Sequence, residues 1–276
     1  MSAKTTSEAN LSQWLLSSNF YQDRCEKIRP KNLRDFQKLI DQKFDASKPL
    51  NIFLDGRSAR NIFDLYQQFS PGPNVTIYIH RTDLIPSTAQ MEHMRRLNFH
   101  IKSVNWLGSS NVCQPLPIGI PPESYVGELG KIITSSIFAS KRNDSRKIEH
   151  TYYLNFDITT NIILRKKALS IFHNRKDVFF PTRRLSISQH LEAVRASKYV
   201  LSPPGAGPDC YRTWEALYLG STPVVLKQYW PFANFELPVL AVDSYEKFLI
   251  DSEDKDLGFD FRADRQFAID LALRFT

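Results

Sequence analysis

LSPPGAGPDCYRTWEALYLGSTPVVL, Leu201 to Leu226, decides how the C-terminal half of this chain folds. Taken with the residues just before it, it reads as a buried strand from Lys198 to Ser202, a Pro/Gly loop from Pro203 to Pro208, a helix, and a second buried strand from Thr222 to Leu226. Asp209 supplies an N-cap, Gly220 follows the last helical residue and Pro223 lies just beyond. Both ends of a helix of about three turns are thus marked. Arg212 and Glu215 fall three apart on one face near its N-terminus. Gly205 and Gly207 keep the approach clear of side chains, and exposed N–H groups with the helix dipole favour an anion there. A guanidinium matches phosphate oxygens, and a carboxylate one turn on accepts from a ribose diol, so the unit suits a nucleotide diphosphate.

An Arg and a Glu at this spacing are most often a surface salt bridge. Here they follow a glycine-bearing loop at the end of a buried strand, where open parallel sheets bind ligands, and the ligand reading is preferred.

Outward from this block the same alternation recurs. The segment to about Phe44 has helical spacing (Trp14, Leu15, Phe20, Ile28, Leu33, Phe36, Ile40), broken at Pro30. Asn51 to Leu54 reads as a strand ending at Asp55-Gly56-Arg57-Ser58, and Val75 to Ile79 as another ending at His80-Arg81-Thr82-Asp83. A further strand-like piece runs from Asn98 to Trp106. Pro115 to Pro122 is proline-rich, and Ala139 to His150 is charged, which puts a domain boundary near 140 to 150 and predicts domains of residues 1–145 and 146–276. Tyr152 to Phe156 restarts the pattern, Val239 to Val242 is its last strand, and Asp260 to Thr276 has helical spacing (Phe267, Ile269, Leu271, Leu273). Strands alternating with helices predict an α/β fold with parallel sheets.

At 276 residues, 42% apolar and 24% charged, the chain has the composition of a soluble globular protein. The net charge of +7 fits a nucleotide donor, an anionic glycan or a nucleic acid. The basic residues are scattered, with Arg165-Lys166-Lys167 and Arg183-Arg184 the densest groups. A solvated basic surface therefore ranks first, phosphate contacts in a cleft second and nucleic acid third. Cys25, Cys113 and Cys210 are too few and too far apart for a disulfide scaffold or a four-ligand zinc site. The polar start MSAKTTSEAN and the lack of a membrane-length apolar run predict a cytoplasmic protein without a membrane span.

Ser197 to Gly205, followed by Asp209 to Gly220, resembles the donor-site block of exostosin-like glycosyltransferases. Weaker similar blocks come in the family's order: IYIHRTD at Ile77 to Asp83, PLPIGIP at Pro115 to Pro121, and YLNFDITTN at Tyr153 to Asn161 with Arg165 after it. The resemblance implies two Rossmann-like domains facing across a cleft in the GT-B arrangement, with a C-terminal helix packing back on the first domain. It also implies a UDP-sugar donor and a glycan or glycoprotein-glycan acceptor. In size and lack of an anchor the chain is similar to virus-encoded members of the family, which implies xylose, viral glycan synthesis and the host cytoplasm. Cellular exostosins are anchored in the secretory pathway, so heparan-type acceptors are not implied.

By motif match and helix geometry, Arg212 clamps the diphosphate and Glu215 takes the ribose hydroxyls. Arg165 would be a second phosphate contact or a surface arginine beside Lys166 and Lys167. Asn155, Thr160 and Asn161 lie on the same strand-to-helix turn, where turn and cap chemistry is the competing role. Ser202, Pro204, Gly205, Gly207 and Arg183 complete the expected donor-binding set.

A base must deprotonate the acceptor hydroxyl. Asp83 is favoured by its place in the His80-to-Asp83 tetrad, although Arg81 and Thr82 depart from the family's commoner small polar pair. Asp55, and His80 as orienting group or base, stay open. One base and attack opposite the nucleotide imply inversion. The Asp254-Lys255-Asp256 triplet lies in a charged run without a preceding buried strand and reads as a solvated face, so no metal or other cofactor is expected. With ten glycines and no G-x-G-x-x-G, a nucleotide-sugar dehydrogenase or epimerase is disfavoured. A non-catalytic nucleotide-sugar or carbohydrate-binding protein, which could keep the donor block and lose the base, is the alternative.

Overall fold

A computed structural model describes residues 15–27, 38, 48–56, 75–83, 87–89, 92, 96, 99–108, 113–121, 127–132, 146–259 and 263–276. They fall into two compact units, Leu16–Ile118 and Gly119–Thr276, the second also taking Leu15. The chain is a mixed α/β protein whose strands pair in parallel, compatible with Rossmann-like units. Of the expected 140–150 boundary, residues 140–145 lie outside the described residues.

In the N-terminal unit a short helix α1 (Ser18–Gln22), capped by Ser17, precedes strand β1 (Glu26–Lys27). Strands β2 (Leu50–Asp55), β3 (Val75–His80), β4 (Phe99–Ser103) and β5 (Cys113–Pro115) follow, in spatial order β1-β2-β3-β4-β5. All four pairings are parallel. The helical spacing read through this region fails at Glu26–Lys27, where the backbone pairs with Ile52 and Phe53 at the sheet edge and tertiary pairing overrides local periodicity. The rest of that reading, Trp14 and 28–44 apart from Lys38, lies outside the described residues, as do Arg57 and Ser58.

In the C-terminal unit the elements are β6 (His150–Tyr153), a 3-10 turn (Ile158–Thr160), α2 (Ile162–Phe172), β7 (Val178–Phe179), α3 (Ile187–Arg195), β8 (Ser197–Leu201), α4 (Tyr211–Leu219), β9 (Thr222–Leu226), β10 (Leu240–Val242), α5 (Tyr245–Asp254) and α6 (Arg265–Leu273). The unit's sheet runs β10-β9-β8-β6-β7. Chain order therefore reverses between β6 and β8: β6 leads outward to β7 on one side, and β8, β9 and β10 continue on the other. In an open parallel sheet the carboxyl ends of the strands on either side of such a reversal flank a crevice where ligands bind.

Helices cover both faces of this sheet, which is why all five residues of β9 are buried. On one face Tyr152, Tyr199, Leu201, Val224 and Leu226 pack with Ala168 and Phe172 of α2 and Tyr245 and Phe248 of α5. Tyr152 and Tyr199, paired in register, stack with ring centroids 5.7 Å apart. Near α4 the indole of Trp214 packs edge-on against Phe232 and Phe275. The buried residues of the C-terminal segment are Ala268, Leu271, Ala272 and Phe275, an i, i+3, i+4, i+7 stripe. Of the four apolar positions expected there, Leu271 is buried and Leu273 is exposed, because the expected set alternated by two and a helix buries every third or fourth residue. The contacts of Phe275 tie this segment to residues of its own unit.

Candidate functional site

The segment after β6, residues 154–161, and the loop after β8, residues 202–210, meet at the reversal of strand order. Their joint is Arg165, 6% exposed on α2. Its Nε donates to the Pro204 carbonyl at 3.1 Å, Nη2 to that of Pro203 at 3.4 Å, and Nη1 to that of Asp157 at 2.6 Å. Burial, and then the charge of Arg212, lower its pKa. Asn161 caps α2 by accepting from the Leu164 amide, and its Nδ2 donates to the Gly205 carbonyl at 3.3 Å. The cap chemistry expected there is present, and the same side chain also holds the loop. Thr160 donates to the Asp157 carbonyl. Ser202 is buried and shares a 2.8 Å hydrogen bond with Thr213 of α4, so it locks the strand end to the helix.

Gly205 is needed for close approach: a Cβ there would lie 2.7 Å from Arg165 Nη2 and 3.4 Å from Thr160 Oγ1. That guanidinium is held by three carbonyls and cannot swing aside. Gly205→Ala is expected to cost about 1–3 kcal/mol by overpacking. Gly127→Ala, where nothing lies within 4 Å of the new Cβ, is the control, and thermal denaturation of both variants checks it.

Helix α4 starts one residue later than the sequence implied. Cys210, not Asp209, is its N-cap, and no side chain caps it. The Asp209 carboxylate is buried and accepts instead from the Trp214 indole N–H, at 2.9 and 3.0 Å to its two oxygens. Satisfying the indole outweighs capping, since a buried donor without a partner is the costlier loss. Gly220 follows the helix at φ 77°, a left-handed turn that glycine adopts without strain.

Arg212 donates through Nε to the Asn155 carbonyl at 2.8 Å, while its Nη1 is buried without a hydrogen-bond partner. The guanidiniums of Arg165 and Arg212 each lie 5.6 Å from the Phe156 ring centroid. The hydrogen-bonding partners of the two are carbonyls and the Cys210 thiol, none of them charged, and an unfilled guanidinium donor beside a second cation is an arrangement an anion completes. Glu215, 4% exposed, meets His190 of α3, with Oε2 to Nε2 at 2.8 Å. His190 Nδ1 lies 2.6 Å from the Tyr153 hydroxyl, which accepts from Asn155 Nδ2 at 2.9 Å. Burial, first among its causes, raises the Tyr153 pKa.

Arg212, Glu215, Arg165, Asn155, Thr160, Asn161, Ser202, Pro204 and Gly205 thus come together at the ends of β6 and β8, with Gly207 accepting from the Gly205 amide. Arg183 is exposed in the bend before α3. Tyr153, Phe156 and His190 were missed: their sequence signals are those of a strand, a loop and an amphipathic helix, and only the fold brings them to one point.

In the N-terminal unit the candidate bases sit at the ends of β2 and β3. Asp55 pairs in register with His80. His80 is 1% exposed, between Tyr21 at 5.8 Å and Phe53 at 6.4 Å. Its Nδ1 accepts from the Arg81 amide, and Nε2 is buried without a hydrogen bond of ordinary geometry, near the carbonyls of Pro117 and Ile118. Burial, then the Arg81 charge, lower its pKa to about 4. Arg81, the departure from the family tetrad, donates to Ser18 and Asn19 at the start of α1. Asp83 is exposed, and Asn105, buried at φ 63°, donates to its Oδ1 at 3.3 Å and to the Thr82 carbonyl at 3.1 Å.

Among the described residues no cluster of three His, Cys, Asp or Glu could hold a metal. Asp254 ends α5 and Asp256 pairs with Lys198 at 2.9 Å. No helix of the described residues is long and apolar enough to cross a membrane.

Residues 152–233 match the family model RXYLT1 C-terminal domain, a span that holds the last two residues of β6, the elements from there through β9 and every residue of the site just described in this unit. The match supports a xylosyltransferase-like glycosyltransferase family. No curated protein matches the chain.

Proposed function

We propose that the chain is an inverting, metal-independent glycosyltransferase of GT-B arrangement that moves xylose from a UDP-sugar to a hydroxyl of a glycan acceptor. The observation that carries this reading is the buried, unfilled Nη1 of Arg212, set beside Arg165 at the carboxyl ends of β6 and β8. Arg212 holds the diphosphate and stabilises the negative charge that builds on it as the sugar leaves, in place of a metal ion. Glu215 accepts from the ribose hydroxyls. Arg165 acts one layer behind: it braces the loop and adds positive potential. Asp83 takes the proton of the acceptor hydroxyl, and its solvent exposure supports it over the enclosed, neutral His80. Xylose rests on the family match and UDP on the sequence resemblance.

Thermal denaturation with UDP, GDP and dTDP tests the reading. A nucleoside diphosphate at a hundredfold excess over its Kd stabilises the folded state by about 2.7 kcal/mol, and a rise in Tm is expected with UDP above the other two. No shift with any of the three would remove the basis for a nucleotide-sugar donor.

A further inference from the structure

We propose that His190 is a positioning residue for ribose recognition: it fixes the Glu215 carboxylate, and through it the preference for a ribonucleotide over a deoxyribonucleotide. The inference rests on the donor reading above and adds to it a residue that lies before the Ser197-to-Gly220 motif, on α3. Glu215 is almost wholly enclosed, and a carboxylate so placed needs hydrogen-bond donors to replace the water it has lost. His190 supplies one to Oε2.

Proton placement along this chain is determined by its ends. Asn155 Nδ2 can only donate, and it lies 2.9 Å from the Tyr153 oxygen and 3.2 Å from His190 Nδ1, so Nδ1 is an acceptor and takes the Tyr153 proton as well. An Nδ1 that accepts puts the ring proton on Nε2, which then donates to Glu215. The carboxylate meanwhile accepts only, the state in which it can take hydrogen bonds from a vicinal diol. The upward shift of the Tyr153 hydroxyl, caused first by burial, keeps its proton available for this role.

The chain also closes on the diphosphate clamp. Arg212 donates to the backbone carbonyl of Asn155, and the side chain of that residue starts the chain ending at Glu215. The two residues of α4 that would meet phosphate and ribose are thereby set by one residue after β6. Loss of His190 leaves the Arg212 end intact and releases only the Glu215 end, so the two functions are separable.

The test measures binding of UDP, GDP and their 2′-deoxy forms to wild type, His190→Ala, His190→Gln and Tyr153→Phe by calorimetry. Hydrogen bonds to a charged group are each worth roughly a tenfold or larger factor, so wild type is expected to favour the ribo form by about 10- to 100-fold. His190→Ala is expected to bring that ratio close to one, with affinity for the deoxy form changed less than about threefold. His190→Gln, whose amide can still donate, retains part of the preference, and Tyr153→Phe falls between wild type and His190→Ala. A merely structural role would weaken both ligands alike and leave the ratio unchanged. If folded His190→Ala keeps the wild-type ratio, this proposal is overturned and the donor reading stands. If wild type binds neither ribonucleotide, both are overturned.

Discussion

Replacing Arg212 with alanine is expected to lower sugar transfer by about 10²–10³-fold and to abolish the rise in Tm given by a nucleoside diphosphate. The folded protein tolerates the change, because the side chain gives up a single hydrogen bond, to the Asn155 carbonyl, whose net worth is about 1 kcal/mol. What disappears is a preorganised donor with nothing to bind within the protein. Arg212→Lys is expected to recover little, since an ammonium keeps the charge but not the planar fork, and it cannot hold the Asn155 carbonyl and a phosphate at once. Transfer assays with a radiolabelled UDP-sugar, alongside melting curves with and without UDP, measure both effects. An alanine variant with wild-type turnover would remove the diphosphate clamp from the mechanism.

Asp83→Asn is expected to reduce transfer by about 10²–10⁴-fold, the usual contribution of a general base, with nucleotide affinity unchanged. The substitution is nearly isosteric, and the introduced amide oxygen can still accept from Asn105 Nδ2, so the loop is preserved while proton acceptance is lost. Asp55→Asn serves as the comparison and is expected to keep most of the activity. Near-normal turnover of the Asp83 variant, or a collapse confined to the Asp55 variant, would move the base to the end of β2.

The parallel sheets and the strand–loop–helix–strand unit around Leu201 to Leu226 were legible because the sequence writes them locally. Thr222 to Leu226 is a continuous β-forming run, and Gly220 marks a helix end that no β-branched residue could occupy without strain. Two boundaries, by contrast, were a residue off: the strand read from Lys198 runs from Ser197, and Asp209 yielded the cap position to Cys210. The second shift comes from the Trp214 indole, whose N–H engages the Asp209 carboxylate. Arg165 shows the limit most clearly. Sequence offered it as a phosphate ligand or a surface cation; it is buried, and Nε, Nη1 and Nη2 each donate to a backbone carbonyl. Its acceptors are backbone carbonyls 38 and 39 residues away in the chain, and 8 residues back, which carry no signature in side-chain identity. His190 was hidden for the same reason: its partners lie on β6 and α4, and the capping box of Ser186 and Gln189 explains its neighbourhood without it.

The carbonyls of Pro203, Pro204 and Gly205 all turn inward, to Arg165 and Asn161. In a trans peptide the N–H points opposite its C=O, so the bond joining Gly205 to Ala206 aims its hydrogen outward. Pro203 and Pro204 carry no N–H and the Gly205 amide donates to Gly207, so this ribbon keeps its three oxygens sequestered and turns one donor, the Ala206 N–H, the other way. The exposed methyl of Ala206 is therefore free to vary without disturbing the hydrogen bonds that hold the loop from within.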